Sequence, residues 1–228
     1  MPALKTLDRG LEALNIISRA SDGITVHDLA NALGIHRAAA YRILETLESH
    51  HFVQKGTDGC FRLGSGVLSV SHRFMSQFRV ASQPVIQDLA NKVGMTAFIA
   101  VEDAGQALAL AVAEPVALES VGIRFQAGFR HPLQRGADGI AILAQRAENS
   151  IEPSAVKTAR QKGYAVTYGE NQPGTAGMAV GLGDFESIQV EASVGVIRLG
   201  GLQDLEVEEI FPHLDEVRNT LRKSLAKV

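Results

Sequence analysis

The sequence has few of the residues on which several protein classes depend. It contains one cysteine, Cys60, and no tryptophan among its 228 residues, and aromatic residues make up only 5% of the chain. A single cysteine excludes an internal disulfide and a cysteine-rich zinc site, and it is typical of proteins from a reducing compartment. Because aromatic residues are scarce, the hydrophobic cores must be built from aliphatic side chains.

Long apolar runs are also missing. No stretch approaches the roughly 20 apolar residues that a membrane-spanning helix requires, and the N-terminal segment MPALKTLDRGLEAL lacks the apolar core of a signal peptide. We therefore expect a cytoplasmic protein without membrane association. A chain of this length, with 46% hydrophobic residues, can form one large domain or two smaller ones.

No strong excess of charge of either sign is present, since the formal net charge is −3. Residues 1–80 contain nine Lys and Arg against seven Asp and Glu, whereas residues 81–228 contain 13 against 18. A protein that binds nucleic acid indiscriminately carries a large basic excess. The mild asymmetry is instead consistent with a DNA-facing N-terminal part and a neutral-to-acidic remainder.

The N-terminal segment shows the order of elements of a winged helix-turn-helix. Apolar residues at helical spacing predict one helix over residues 6–20 and another over residues 36–50. Between them Thr25 caps a short helix, with Asp28 in a weak capping-box position, and Gly34 ends that helix. Two β-type runs around a Gly-Thr-Asp-Gly turn at 56–59 then predict a hairpin, the wing.

In a helix-turn-helix the second helix of the pair enters the major groove, while basic side chains reach the phosphates. The helix that follows Gly34 has polar and small residues on its outer surface, which suits this role. The predicted DNA contacts come from Thr25, His36, Arg37, Ala38, Ala39, Tyr41 and Arg42, with Lys55 and Arg62 adding backbone contacts from the wing. The alternative is a three-helix unit whose charges are merely solvated.

The rest of the chain mixes helices with hairpin-joined strands. After a connecting helix over 64–78, helices are predicted at 82–93, 136–147, 153–162 and 204–226, and strands at 95–102, 106–113, 118–126, 164–168, 176–182 and 189–198. This pattern indicates an α+β domain with a largely antiparallel sheet.

Taken together, these motifs resemble the IclR family of bacterial transcriptional regulators over nearly the whole chain. The N-terminal likeness is the more specific. It lies in residues 7–11, 23–26, 29–30, 33–35, 41–44, 47, 52–53 and 61–64, and continues at 128–133, 163–166 and 173–174.

The resemblance implies a protein of three parts: a winged helix-turn-helix over 1–64, a linker helix over 65–79 and a GAF-like effector-binding domain over 80–228. It implies double-stranded operator DNA and a small-molecule effector as partners, assembly into a homodimer or homotetramer, and no cofactor or metal. Family members often have Ser or Thr where this chain has Ala38 and Ala39. Alanine can contact a thymine methyl group but cannot donate a hydrogen bond, so the operator cannot be inferred from the family.

The effector pocket of the family maps onto Ala137, Asp138, Thr167, Gly177, Ser193 and Gly195. The family commonly has Asp where this chain has Thr167, Cys where it has Gly177 and Ser where it has Gly195. Asp138, by contrast, adds a carboxylate that would repel an anion. We therefore hypothesise a neutral or larger, more apolar effector, or an unliganded domain that acts in assembly. Asp138 could instead only complement the dipole of its helix, and Ser193 could be an ordinary half-buried serine.

An enzyme is the rival class, in the form of a hydrolase or transferase with a helical appendage. No Gly-x-Ser-x-Gly, His-Glu-x-x-His or phosphate-loop motif occurs, and Gly181-Leu182-Gly183-Asp184 lacks the third glycine of a dinucleotide fingerprint. Cys60 lies near His50 and His51 in sequence, but the predicted wing offers no cleft. A scaffold with a degenerate DNA module or effector pocket is the other alternative.

Overall fold

A computed structural model of the chain describes residues 4–71, 76–116, 125–185, 190–200 and 204–225. The chain forms two compact units, Met1–Ser76 and Gln77–Val228. Both contain helices and antiparallel strands, so the protein is an α+β protein with an N-terminal helix-turn-helix, as predicted.

The first unit consists of short helices and one hairpin in the predicted order. Its elements are α1 (Lys5–Arg19), α2 (Val26–Ala32), α3 (Arg37–Ser49), β1 (Val53–Lys55), β2 (Phe61–Leu63) and α4 (Gly66–Ser71). The two strands pair antiparallel with Val53 opposite Leu63.

An aliphatic core joins the three helices to the hairpin. Leu29 of α2 and Leu44 of α3 are fully buried, and Val53 and Phe61 bring one face of the wing into the same cluster. Ile24 and Phe61 exchange both backbone hydrogen bonds, at 3.0 and 2.8 Å, which ties the chain before α2 to β2. The wing is therefore held rigidly beside the helix-turn-helix.

The apolar stripe predicted on α1 is only partly buried. Ile17 lies in the core, whereas Leu4, Leu7 and Leu11 are 76%, 59% and 55% exposed. These three leucines, which we call the α1 stripe, follow one another at three and four residues and so share one face of the helix. Within one chain nothing covers that face over the described residues.

The connection between the units differs from the prediction. The structure contains α4 and a long helix α5 (Ser76–Val93) in place of helices over 64–78 and 82–93. The second helix begins earlier because Phe78 and Ser82 are buried and no glycine or proline interrupts residues 76–82. Pro84 lies inside α5 without ending it.

The second unit is built on a six-stranded antiparallel sheet of order β5-β4-β3-β8-β7-β6. Five strands lie within a few residues of their predicted positions, and the predicted strand at 118–126 falls mostly outside the described residues. β5 was missed because three residues are too few to show a strand period. The strands are β3 (Thr96–Asp103), β4 (Gln106–Ala113), β5 (Arg130–Pro132), β6 (Ala165–Tyr168), β7 (Thr175–Phe185) and β8 (Val190–Leu199).

Helices cover this sheet. The helices after β5 are α6 (Gly136–Leu143), α7 (Ser154–Lys162) and α8 (Asp204–Leu225). Ile140 of α6 packs in one cluster with Phe98 and Ala179 of the sheet, α7 lies against α6 and β6, and α8 lies against β7 and β8. No helix within the described ranges is long and apolar enough to cross a membrane.

Candidate DNA-binding surface and effector cavity

The turn between α2 and α3 is fixed by the backbone. Gly34 has a φ of +61°, a conformation that favours glycine. Its N–H donates to the carbonyl of Asn31 at 3.1 Å, and the N–H of Ile35 donates to that of Ala30 at 3.0 Å. With Ala30 and Leu44 buried on either side, the turn sets α3 at a defined angle to α2.

The N-terminus of α3 is open. Its N-cap residue, His36, makes no side-chain capping hydrogen bond, and the first turn contains no acidic residue. Arg37 and Ala38 are exposed at this end, and Ala39 is half-buried. Uncapped N–H groups and the positive end of the helix dipole favour a phosphate oxygen.

The cationic side chains of α3 carry charge that no described carboxylate neutralises. Arg37 Nη2 donates to Tyr41 Oη at 3.3 Å, and its guanidinium lies 5.5 Å from the Tyr41 ring centroid. Arg42 is exposed and forms no ion pair within the part of the chain that the structure describes. The structure thus brings His36, Arg37, Tyr41 and Arg42 to one exposed end of α3.

Two of the predicted DNA contacts are engaged within the protein. The Thr25 hydroxyl accepts from the Asp28 N–H at 3.2 Å and donates to Asp28 Oδ2 at 2.6 Å, so it caps α2. Arg62 pairs with Asp58 at 2.6 Å and also donates to the carbonyl of Asp22 at 2.6 Å. Of the two wing cations, Lys55 therefore has the more available charge; its Nζ lies 5.9 Å from the Phe61 ring centroid.

Both members of the ion pair on the wing are charged at neutral pH. The hydrogen bond from Arg62 lowers the pKa of the Asp58 carboxyl to about 2, and the backbone N–H of Cys60 adds to this effect. Both groups stay charged above that pH. Arg62 thus braces the turn of the wing against the loop before α2.

Replacing Thr25 with alanine should lower the free energy of unfolding by about 1 kcal/mol, because an N–H at the start of α2 loses its acceptor. Thr25→Ser, which keeps the hydroxyl, should be nearly neutral. Urea unfolding followed by circular dichroism measures both variants. Equal stability of Thr25→Ala and the parent would show that the cap contributes nothing.

In the second unit, four of the six predicted effector residues line one small cavity. Ala137, Asp138, Thr167 and Gly177 lie around it together with Phe98 and Phe125. Its volume is about 20 Å³, which is room for a single water molecule. In this conformation the cavity is too small for a metabolite.

Two aromatic rings fill the space. A Cβ at Gly195 would lie 2.5 Å from Phe98 Cζ and 2.5 Å from the Met178 carbonyl oxygen, so glycine is what lets the Phe98 ring lie against β8. The Phe98 and Phe125 ring centroids are 4.8 Å apart. Ser193, expected in the pocket or half-buried, is fully buried further along β8, and its Oγ has no hydrogen-bond partner among described residues.

The hypothesis that Asp138 repels an anion does not fit its surroundings. Asp138 and His131 are both buried, and His131 Nε2 lies 2.9 Å from Asp138 Oδ2. Burial lowers the pKa of His131, but the hydrogen bond and charge of Asp138 outweigh it, so that the pKa is raised above 6.5. Nδ1 faces the carbonyl of Pro132 at 3.1 Å, and since both ring nitrogens face acceptors, the imidazolium is favoured. The negative charge of Asp138 is thus already paired.

Sequence reasoning missed the carboxylate of Glu170. Its Oε2 accepts from the N–H of Gly136 at 2.6 Å at the start of α6, and Arg135 donates to its carbonyl oxygen. The N-terminal amide of α6, a candidate anchor for a ligand carboxylate, is therefore occupied by the protein's own anion. Two glycines with positive φ, Gly169 and Gly174, fold the loop that carries Glu170 and were its only sequence signal.

The geometry gives little support to a metal site or to a nucleophilic cysteine. Over the described residues, no group of three or more His, Cys, Asp and Glu side chains is placed to hold a metal ion. Cys60 is a free, half-buried cysteine on the wing.

Comparison with known proteins identifies residues 6–56 as an IclR helix-turn-helix domain. The chain is 20% identical to the HTH-type transcriptional regulator XynR of Escherichia coli K12, over 99% of this chain and 98% of that protein. It is 24% identical to the transcriptional repressor IclR of the same organism, over 65% of this chain and 55% of that protein.

Solved structures share the whole fold. An IclR regulator from Alicyclobacillus acidocaldarius superposes with a TM-score of 0.78 at 21% identity, covering 99% of this chain and all of that one. A homologue from Microbacterium hydrocarbonoxydans, complexed with 4-hydroxybenzoate, gives a TM-score of 0.80 at 18% identity, covering 98% of this chain and 100% of that one.

Proposed function

We propose that the chain is a transcriptional regulator of the IclR family, and from this premise we assign the residues that read DNA and those that respond to an effector. Residues 1–64 form the winged helix-turn-helix, 65–79 the linker and 80–228 the GAF-like effector domain. The observation that carries the proposal is the uncompensated charge of Arg37 and Arg42 on α3, directly after a rigid helix-turn.

The exposed end of α3 enters the major groove. His36, Arg37, Tyr41 and Arg42 supply the hydrogen-bond donors there, and Ala38 and Ala39 offer only a methyl surface that suits thymine. Lys55 contacts a phosphate beside the groove, while Thr25 and Arg62 act by fixing α2 and the wing. Base reading therefore rests on a few side chains of the first two turns of α3.

Selection of duplexes from a random DNA pool by the purified full chain tests this function. We expect an enriched sequence bound at least about 10³-fold more tightly than unselected DNA at physiological salt. Affinity for the enriched sequence should fall steeply with salt, since phosphate contacts release counterions. Recovery of no preferred sequence would contradict the proposal and favour the scaffold alternative.

The effector site lies around Ala137, Asp138, Thr167 and Gly177. A metabolite enters only when Phe98 turns away or the loop of Glu170 withdraws, and that movement is what couples binding to the rest of the chain. Movement of Phe98 would also bring Gly195 and Ser193 to the cavity wall. One structural relative is complexed with 4-hydroxybenzoate, which supports a small aromatic compound as the class of ligand to test first.

The closed cavity also favours a second candidate role, that of an unliganded domain used in assembly. A space of about 20 Å³ lined by Glu170 and two phenylalanine rings needs no ligand to be stable. Screening metabolites for a rise in melting temperature that Thr167→Ala reduces separates the two roles, because only a sensor gains stability from a ligand bound at this cavity.

The chain acts as a homodimer or homotetramer in the cytoplasm and is no enzyme. The α1 stripe supports assembly through the DNA-binding half, because an exposed row of leucines in a regulator with two half-sites suits a symmetric interface.

Replacing Leu7 and Leu11 together with glutamate should convert the protein to a smaller species, because the stripe then carries charge that cannot be buried. Size-exclusion chromatography with light scattering measures the mass. Ile151→Glu, at a residue 88% exposed in the second unit, serves as a control for an added surface charge. An unchanged mass of the double variant would place the interface elsewhere.

A further inference from the structure

A second and larger cavity lies in the second unit, beyond the C-terminal end of α6. Its volume is about 330 Å³, within the lower range of sites that bind small molecules. Three alanines form an apolar part of its lining: Ala141 of α6, Ala144 directly after that helix, and Ala159 of α7. None of the predicted effector residues takes part in it.

Glycines of β7 shape this cavity. The strand has an irregular register between Gly181 and Gly183, where Gly183 has a φ of +85°. A Cβ at Gly183 would lie 2.6 Å from Arg222 Nη2, and one at Gly181 would collide with Gln145. Both side chains can therefore lie against the strand, and Arg222 Nε donates to the Leu182 carbonyl at 2.6 Å. The guanidinium of Arg222 is held at the cavity by the backbone.

The cavity is lined by positive charge. Arg160 of α7 and Arg218 and Arg222 of α8 line it, and none of its lining residues along the described chain is acidic. Arg160 pairs with Glu152 at 2.8 Å and Arg218 with Asp215, but Arg222 forms no ion pair with any carboxylate the structure describes. Burial and the neighbouring charge of Arg222 both lower the pKa of Arg218. The charge of Arg222 is thus uncompensated, and a bound anion would also stabilise the charged forms of Arg160 and Arg218.

Two hydrogen-bond donors on these arginines are also unused. The Nε atoms of Arg160 and Arg218 are buried and have no acceptor in the described structure, so a bound anion would satisfy them when these side chains turn toward it. Buried donors are nearly always satisfied in native proteins. An oxyanion offers several acceptor positions and binds guanidinium groups through short, charge-assisted hydrogen bonds.

We propose that this cavity is a binding site for a small organic oxyanion, a carboxylate or a phosphate. The anionic group lies against Arg222 and Arg218, and the apolar part of the ligand lies on the alanines. This site differs in charge from the first cavity, where Asp138 and Glu170 are present and the volume is about 20 Å³. It therefore does not depend on the effector role proposed for Thr167 and its neighbours.

Isothermal titration of the full chain with sodium benzoate, sodium phosphate and benzamide, at constant ionic strength, tests the proposal. We expect saturable one-to-one binding of benzoate or phosphate, and at least about tenfold weaker binding of benzamide, which has the shape of benzoate without its charge. Binding of benzoate alone identifies a carboxylate site, and binding of phosphate alone a phosphate site.

Variants place the ligand. Arg222→Gln, at an exposed residue without a carboxylate partner, should weaken binding about tenfold or more, whereas Arg130→Gln, which removes an equal charge far along the sheet, should not. Thr167→Ala, which alters only the first cavity, should leave the binding that depends on Arg222 unchanged. Absence of oxyanion binding, equal affinity for benzamide, or sensitivity to Thr167→Ala but not to Arg222→Gln would overturn the proposal. None of these results would bear on DNA binding by α3.

Discussion

Replacing both Arg37 and Arg42 with alanine should weaken binding to the selected operator at least about 30-fold, since each guanidinium that contacts a base or phosphate contributes roughly 1–3 kcal/mol. Both side chains are exposed, and neither is paired with a carboxylate in the described structure. The fold should therefore survive the change. Fluorescence anisotropy with labelled duplex measures affinity, and circular dichroism measures the fold.

The single variants and the salt dependence of binding distinguish a residue that contacts a base from one that contacts a phosphate. Removal of a residue that contacts a phosphate should reduce the slope of log affinity against log salt concentration by about one. Removal of a residue that contacts a base should instead relax the sequence preference at one position of the operator. Arg19→Ala, which removes an exposed arginine at the end of α1, is the matched control. If the double variant bound as tightly as the parent, α3 would not be the reading helix.

The helix-turn-helix could be predicted because its signals are local. Thr25 with Asp28, Gly34, and the spacing of Ile43 and Leu44 each act within a few residues, and each has the predicted role. The outward charges of α3 follow directly from that spacing. The contacts of Arg62 with Asp58 and with the loop before α2 could not be predicted. The sequence does not show which of the two cations of the hairpin, Lys55 or Arg62, is engaged within the protein.

The second unit was predictable as a set of strands but not as a site. Its sheet follows from short apolar runs separated by turn residues, yet its cavity depends on contacts between distant segments. Glu170 reaches Gly136 across 34 residues, and Phe98 occupies space that Gly195 leaves open. No periodicity encodes such contacts. Asp138 was read as a free charge because its partner, His131, lies on a three-residue strand without a pattern of its own.

Replacing Asp138 with alanine should lower the free energy of unfolding by about 3–5 kcal/mol near neutral pH, because it leaves the buried imidazolium of His131 without its partner. Asp138→Asn should cost much less, since a neutral His131 can accept from the amide and still donate through Nδ1 to the Pro132 carbonyl. Urea unfolding of the full chain measures both variants. Far-UV circular dichroism supplies the signal, because the chain has no tryptophan.

The pH dependence distinguishes an ion pair from a simple loss of packing. The pKa of His131 is raised in the folded state above its ordinary value of 6.5. Its contribution to stability is therefore complete below pH 6.5 and is lost as the pH rises through the folded-state pKa. The parent should lose stability over that interval, and Asp138→Asn should lose less, because its histidine binds no extra proton on folding. A parallel pH profile for the two proteins would show that His131 is neutral in the native state and forms no ion pair with Asp138.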